Sequence, residues 1–205
     1  LFADPRLSPD GAFACTSCHL PDRAFTDGRP VAEGRKTHHR NTPTILNSGF
    51  ARWYGWDGAS DSLWSSSIRP ILDPEEMGSS AENVAALFRG DPDYGSRYRE
   101  VFRTGPENDP DETILVNAGK ALAAWQAAQI TPRSAFDRYR DALAAGDAAG
   151  IAAYPEPAKR GLTLFAGRGR CNLCHAGPMF TNGEFADAGV PFFIEGGVDK
   201  GRYGG

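Results

Sequence analysis

The pentapeptide Cys-x-x-Cys-His occurs twice in this 205-residue chain, at Cys15-Thr16-Ser17-Cys18-His19 and at Cys171-Asn172-Leu173-Cys174-His175. The two copies use all four cysteines of the sequence. The pattern reads as a c-type haem attachment site. Thioethers to the two porphyrin vinyl groups fix where both sulfurs sit. The histidine directly after the second cysteine then lies against the ring face and reaches the iron. Three other readings of four cysteines fit less well. A redox dithiol needs no trailing histidine. A zinc site built from two Cys-x-x-Cys pairs wants about 15–20 residues between them, and these pairs stand near opposite ends of the chain. Two disulfides, each closing a two-residue loop, make a poor framework. The expected cofactors are therefore two covalently bound haem c groups. One is held by Cys15, Cys18 and His19, the other by Cys171, Cys174 and His175, with His19 and His175 as iron ligands.

Composition agrees with a core that is partly porphyrin. Hydrophobic residues are 40% of the chain and mean hydropathy is −0.43, a modest apolar content. Glycine and proline, 24 and 15 residues, stay below the range of disordered chains. A net charge of −4 and a pI near 5.6 do not indicate a nucleic-acid partner. No apolar run is long enough to span a membrane, and no signal peptide is visible. The sequence opens abruptly on Leu1-Phe2-Ala3-Asp4, close to the first motif, which reads as a trimmed start. Covalent haem attachment takes place outside the cytoplasmic membrane, so the motifs imply an exported, periplasmic protein.

The chain reads as mostly α and loop-rich. Residues 1–80 are dense in Gly, Pro, Asp and Ser and read as loops and short helices around the first haem. The segment Ala81 to Arg89 predicts a helix with Gly90 as its C-cap. Glu112 to Ala128 places Leu115, Ala118, Leu122 and Trp125 on one face. Ser134 to Ala145 opens with Ser134-x-x-Asp137, which resembles a capping box, and carries Phe136, Tyr139 and Leu143 on one side. Pro157 to Ala166 predicts a further helix, with Leu162 and Phe165 inward, leading to the second motif. Ala144 to Tyr154 reads as a link. The division expected is a first haem domain at 1–145 and the start of a second, incomplete one at 146–205. The two motifs hint at duplication, although the flanks of one do not read as a repeat of the other.

Ordered blocks surround both motifs. Leu1-Phe2-x-Asp4-Pro5-Arg6-Leu7-Ser8 precedes the first. Arg40-Asn41-Thr42-Pro43-Thr44-Ile45-Leu46-Asn47 and Trp56-Asp57-Gly58 follow it. Ser134-x-Phe136-Asp137-Arg138-Tyr139, Gly161-Leu162-x-Leu164-Phe165 and Gly177-Pro178-x-Phe180-Thr181 frame the second. In these blocks the chain resembles the bacterial dihaem cytochrome c peroxidases, including their MauG-like branch. The resemblance implies two cytochrome c-like haem domains. It implies that the first haem meets hydrogen peroxide and the second relays electrons. It assigns Trp56 to the tryptophan between the haems, Glu76 to the distal glutamate of the peroxide pocket, and Asn41 to the residue that helps hold a calcium ion.

Elementary chemistry supports these roles without the family. A haem that activates peroxide needs an open sixth site and a nearby acid/base. Glu76 can serve if burial raises its pKa toward neutrality. An indole can pass an electron between two irons. Read alone, Glu76 in the acidic Asp73-Pro74-Glu75-Glu76 run is a solvated carboxylate. Trp56 is core or haem wall, and Asn41 is a turn residue before Thr42-Pro43. Calcium also wants about six to eight oxygens, so most ligands must come from elsewhere.

The chain departs from the family pattern at several positions. The loop position of the histidine that caps the first haem in standard peroxidases falls at Glu33. The nearest histidines, His38 and His39, could cap the iron only in a differently folded loop. The expectation is a first haem left five-coordinate, as in the MauG-like branch. The accompanying distal glutamine falls at Ser66. The segment expected to carry the second haem's distal Met or Tyr lies beyond this sequence; Met179 reads as packing, Met77 belongs with the first haem, and Tyr203 is a remote candidate. Three functions fit in descending order. The first is a peroxidase fed by a small periplasmic cytochrome c or copper protein. The second is a MauG-like or MbnH-like enzyme that uses peroxide to oxidise a residue, often Trp, of a partner protein. The third is a dihaem electron carrier, which would need neither Trp56 nor Glu76.

Overall fold

A computed structural model describes residues 1–186 and 201–204 of the chain. Its elements are helices and single 3-10 turns. Among the described residues the only β pairing is three isolated bridges, at Leu20–Thr26, Glu33–Thr37 and Tyr54–Ser60. Seven α-helices are described: α1 Leu63–Leu72, α2 Ala81–Gly90, α3 Pro92–Phe102, α4 Asp111–Ala127, α5 Ala135–Ala145, α6 Ala148–Ala153 and α7 Glu156–Ala166. The chain divides into two compact units, one built on Leu1–Ile130 and one within Thr131–Gly189.

In the first unit α4 is the hub. Its Ile114, Leu115, Ala118 and Leu122 are buried, joined in the core by Ile71 of α1, Val84, Ala85 and Phe88 of α2, and Tyr98 of α3. α1 meets α4 at Gly119. A Cβ there would lie 2.6 Å from Ile68 Cγ2 and 2.9 Å from the Trp64 carbonyl oxygen, so only glycine permits the contact. Polar pairs are satisfied inside it. Gln126 Nε2 donates to Ser67 Oγ at 2.7 Å, and Asn117 Nδ2 donates to Tyr98 Oη at 2.7 Å, whose hydroxyl donates to Asp109 at 2.6 Å. The chain start is tied down by charge. Arg6 pairs with Asp4 and with Asp91 (2.8 Å), while Tyr94 donates to Asp4 at 2.7 Å.

Asp91 corrects one expectation. Gly90 is the last helical residue of α2, and Asp91 is the C-cap, its N–H donating to the Leu87 carbonyl. The same residue caps α3, accepting from Asp93 and Tyr94 N–H, with Pro92 at the first helical position. One aspartate therefore ends one helix and starts the next.

In the second unit α5 packs on α6, with Tyr139 stacked on Tyr154 at 4.3 Å and Phe136 against the same ring. Ser134 and Asp137 form the expected reciprocal cap of α5. Residues read as a link thus contain α6, started by Asp147, which accepts from Ala149 N–H. Leu143 does not join the buried side of α5; it is exposed.

Candidate functional site

The first motif is one 3-10 turn, Cys15–Ser17. Cys18 N–H donates to the Cys15 carbonyl at 3.3 Å and His19 N–H to the same oxygen at 2.9 Å. Both thiols are free of disulfide. His19 Nδ1 lies 3.0 Å from the Phe25 carbonyl oxygen. A carbonyl only accepts, so Nδ1 carries the hydrogen and Nε2 keeps its lone pair for a metal. The carbonyl is aimed by strained backbone. Ala24 and Phe25 both take left-handed φ values of 52° and 59°, which cost about 1–3 kcal/mol each away from glycine. Phe2 lies beside the ring with centroids 6.2 Å apart, and packs on Trp125 at 4.4 Å, which meets Phe25 at 6.0 Å.

Electrostatics suit a metal-binding histidine and not dithiol chemistry. Burial pushes the His19 pKa down, against the pull of the Phe25 and Pro43 carbonyls and Asp27, which favours the neutral, metal-binding imidazole. Burial also pushes the Cys15 thiol up to about 12 and raises Cys18. Reactive dithiols have lowered pKa values instead.

The second motif repeats this geometry. Its 3-10 turn is Cys171–Leu173. Cys174 and His175 N–H donate to the Cys171 carbonyl at 3.3 and 2.9 Å, and His175 Nδ1 lies 3.1 Å from the Phe180 carbonyl oxygen. Phe180 again has positive φ, 52°. The match extends further. Phe25-Thr26-Asp27-Gly28 and Phe180-Thr181-Asn182-Gly183 share a turn in which Asp27 accepts from Arg29 N–H and Asn182 from Glu184 N–H, each at 3.0 Å. Both glycines sit at positive φ, 69° and 72°. The flanks do repeat, contrary to the sequence reading. The offset from histidine to phenylalanine differs by one residue, which hides the repeat from inspection. Phe165 and Phe180 lie beside His175, in a setting where Cys171, Cys174, Met179 and Phe180 are exposed. The Tyr203 side chain lies outside the described residues.

Glu76 sits in the turn after α1, half-buried, and interacts electrostatically with both Cys15 and Cys18. Burial raises its pKa; His38 and Arg69 oppose and Asp73 adds to the rise. Met77 beside it is buried in the core. The loop holding Glu33, His38 and His39 folds on itself, with Ala32 N–H donating to the Arg40 carbonyl and His38 N–H to the Ala32 carbonyl. It is then fastened to the Glu76 turn. Lys36 N–H donates to the Glu75 carbonyl at 3.2 Å, Lys36 Nζ meets Glu75 at 2.7 Å, and Arg35 Nε donates to the Met77 carbonyl at 3.1 Å. The Glu33 carbonyl lies 3.8 Å from Cys18 Sγ. Ser66 is on α1.

Trp56 is exposed, 56%, yet oriented. Its Nε1 donates to the Asn41 carbonyl at 2.8 Å, and Arg40 pairs with Asp57 at 2.7 Å. Two of the blocks quoted above are thus locked together by adjacent contacts. Burial works against the Asp57 charge, but Arg40 and the Ala59 N–H hold its pKa below the usual carboxylate range. Arg40, Asn41, Trp56 and Gly201 line an open groove of about 280 Å³. Among the described residues no three His, Cys, Asp or Glu side chains gather as a metal site.

Two covalent attachment turns, each with a histidine held through Nδ1, on a helical framework, define a dihaem c-type cytochrome. A family model described as di-haem cytochrome c peroxidase matches residues 1–145, and the chain belongs to that family. It is 37% identical over 204 residues to the methylamine utilization protein MauG of Methylorubrum extorquens, covering 98% of this chain and 53% of that protein. It is 32% identical over 192 residues to the cytochrome c551 peroxidase of Nitrosomonas europaea, covering 93% and 53%. The chain spans about half the length of the curated relatives it matches. Among solved structures, a MauG-like protein associated with microbial copper homeostasis superposes with a TM-score of 0.70 at 33% identity, over 94% of this chain and 55% of that one. The diheme peroxidase BthA of Burkholderia thailandensis gives 0.67 at 26% identity, over 85% and 46%.

Proposed function

We propose that the chain is the peroxide-reacting part of a dihaem oxidoreductase. Cys15, Cys18 and His19 would hold the haem that meets hydrogen peroxide, and Cys171, Cys174 and His175 would hold the haem that supplies electrons. The bound groups supply the one-electron redox chemistry. The residues supply the rest. His19 presents Nε2, fixed by the Phe25 carbonyl. Glu76 takes a proton from peroxide and returns it to the departing oxygen, so that one peroxide, two protons and two electrons leave as two waters. Trp56 stands as the electron relay, its indole held by Asn41. The observation that carries the reading is the place of Glu76: half-buried in the turn after α1, near both cysteines of the first attachment motif, with burial raising its pKa. Rapid mixing of the holoprotein with peroxide tests it. Glu76→Gln should slow the reaction about 10²–10⁴-fold, the range of a general acid/base; an unchanged rate removes Glu76 from the chemistry.

A second reading, a MauG-like enzyme that oxidises a tryptophan of a partner protein, is favoured by the loop at Glu33. Where standard peroxidases carry the capping histidine, this loop is fastened to the Glu76 turn through Lys36 and Arg35, which supports a first haem left open. In the peroxidase reading the partner is a small periplasmic cytochrome c or copper protein. Mass gain on a partner's tryptophan, against simple turnover of such a donor, separates the two. Calcium at Asn41 belongs to the same proposal. Asn41 would give the ion one oxygen, joined by oxygens from other segments. Location in the periplasm is proposed on the attachment motifs and the relatives; none of the described helices is long and apolar enough to cross a membrane.

A further inference from the structure

His38 has no part in the reaction just described, yet it is held in an unusual way. Its Nε2 is buried and without a hydrogen-bond partner. A buried ring nitrogen left unpaired costs about 1–3 kcal/mol, and such orphans in folded proteins mark strain, catalysis or an exchangeable partner. The backbone shows what Nε2 is held against. At Gly34 a Cβ would lie 2.6 Å from the Glu75 carbonyl oxygen, 3.1 Å from Glu76 Cα and 3.1 Å from His38 Nε2. The bare backbone of Gly34 is thus packed tightly against both His38 and the Glu75-Glu76 backbone, and the His38 ring nitrogen lies within about 6 Å of Glu76 Cα. This approach is held by the Lys36–Glu75 and Arg35–Met77 contacts on one side and by the His38 N–H to Ala32 bond on the other.

We propose that His38 is a positioning residue for Glu76: the Glu76 carboxyl is the partner its Nε2 lacks here, reached by rotation of the Glu76 side chain or through one water. The proposal deepens the functional reading and rests on it for the role of Glu76, but not for the contact itself. A partner on Nε2 fixes which carboxyl oxygen faces the first haem and which is tied back. His38 also opposes the burial-driven rise of the Glu76 pKa. The other charged groups acting on that carboxyl are Asp73 and Arg69, with the Cys15 and Cys18 sulfurs nearby. Glu75, ion-paired with Lys36, also interacts electrostatically with His38 and His39. The family resemblance puts the position of the capping histidine at Glu33, so this role for His38 is separate from axial ligation.

The test uses the haem-loaded protein and two readouts. The first is the infrared carboxyl band of Glu76, identified by its loss in Glu76→Gln and followed across pH without peroxide. His38→Ala should shift that band and move its titration upward; His38→Gln, which keeps a polar end, should retain part of the wild-type frequency. The second is a double-mutant cycle on the peroxide reaction. His38→Ala should slow it about 10–100-fold, as loss of a supporting hydrogen bond does, but less than about twofold in the Glu76→Gln background. A band that ignores His38, or equal slowing in both backgrounds, overturns the proposal. If wild type does not react with peroxide at all, the functional reading fails while the infrared band still decides this one. If His38→Ala does not fold, His38→Gln and Gly34→Ala, whose methyl would press on His38 Nε2 and the Glu75 carbonyl, must shift the band or the proposal fails.

Discussion

Gly119→Ala puts the packing that aims Glu76 to a direct test. In a helix interior the change should gain about 1 kcal/mol of helix propensity. Against this, the new methyl would sit 2.6 Å from Ile68 Cγ2 and 2.9 Å from the Trp64 carbonyl. The Ile68 methyl can rotate away; the Trp64 carbonyl belongs to the backbone of α1 and cannot. Overpacking of this kind costs about 1–3 kcal/mol, and a rigid contact belongs in the upper half of that range. The net expectation is a loss of about 1–2 kcal/mol. With urea m-values of about 1–3 kcal/mol per molar, the unfolding midpoint of the holoprotein, followed by far-ultraviolet circular dichroism, should fall by roughly 0.3 to 2 molar. Because α1 runs directly into the Asp73–Met77 turn, pushing it off α4 should also slow the peroxide reaction, on the order of 10²-fold for a displacement near 1 Å. A variant as stable as wild type, or more so, would show that helix propensity outweighs the contact and would refute the close approach of α1 to α4.

Further outcomes follow from the same geometry. Haem colour should survive denaturing electrophoresis, and paired Cys171→Ser and Cys174→Ser changes should halve it while leaving the first haem attached; colour lost from wild type contradicts thioether linkage. The raised Glu76 pKa also sets a sign for stability. Between the ordinary carboxylate range and the raised folded value, the folded state holds the proton that the unfolded state has released. Stability therefore falls as pH rises through that window, and the contribution is fully present only below the unfolded value. Urea midpoints measured across pH should show this slope in wild type and lose it in Glu76→Gln; identical slopes would mean the carboxyl is not buried in the folded protein.

Much of the site was legible because it depends on short spacing. Each Cys-x-x-Cys-His turn carries its chemistry in five residues, and the ordered blocks up to Trp56-Asp57-Gly58 carry the family. The helices α2, α4, α5 and α7 follow from apolar periodicity. Helix α3 was hidden by its polar sequence, although Asp91-Pro92 announced it in retrospect as cap and first turn. Helix α6 was hidden by alanine, which gives no apolar stripe. The Phe25 and Phe180 carbonyls were missed because a backbone group has no sequence letter; the shared Phe-Thr-Asp/Asn-Gly block was the available signal, masked by its one-residue offset. The meeting of Gly34, His38 and Glu76 joins segments far apart in the chain, and nothing local encodes it.

The central claim is that two haems are welded to this chain and one keeps an accessible iron beside Glu76. Low-temperature electron paramagnetic resonance of the resting ferric holoprotein tests it most directly. A high-spin signal that disappears with Cys15→Ser and Cys18→Ser, beside a low-spin signal that remains, is the predicted result. Two low-spin signals under every redox condition would contradict the account and point to a capped first haem.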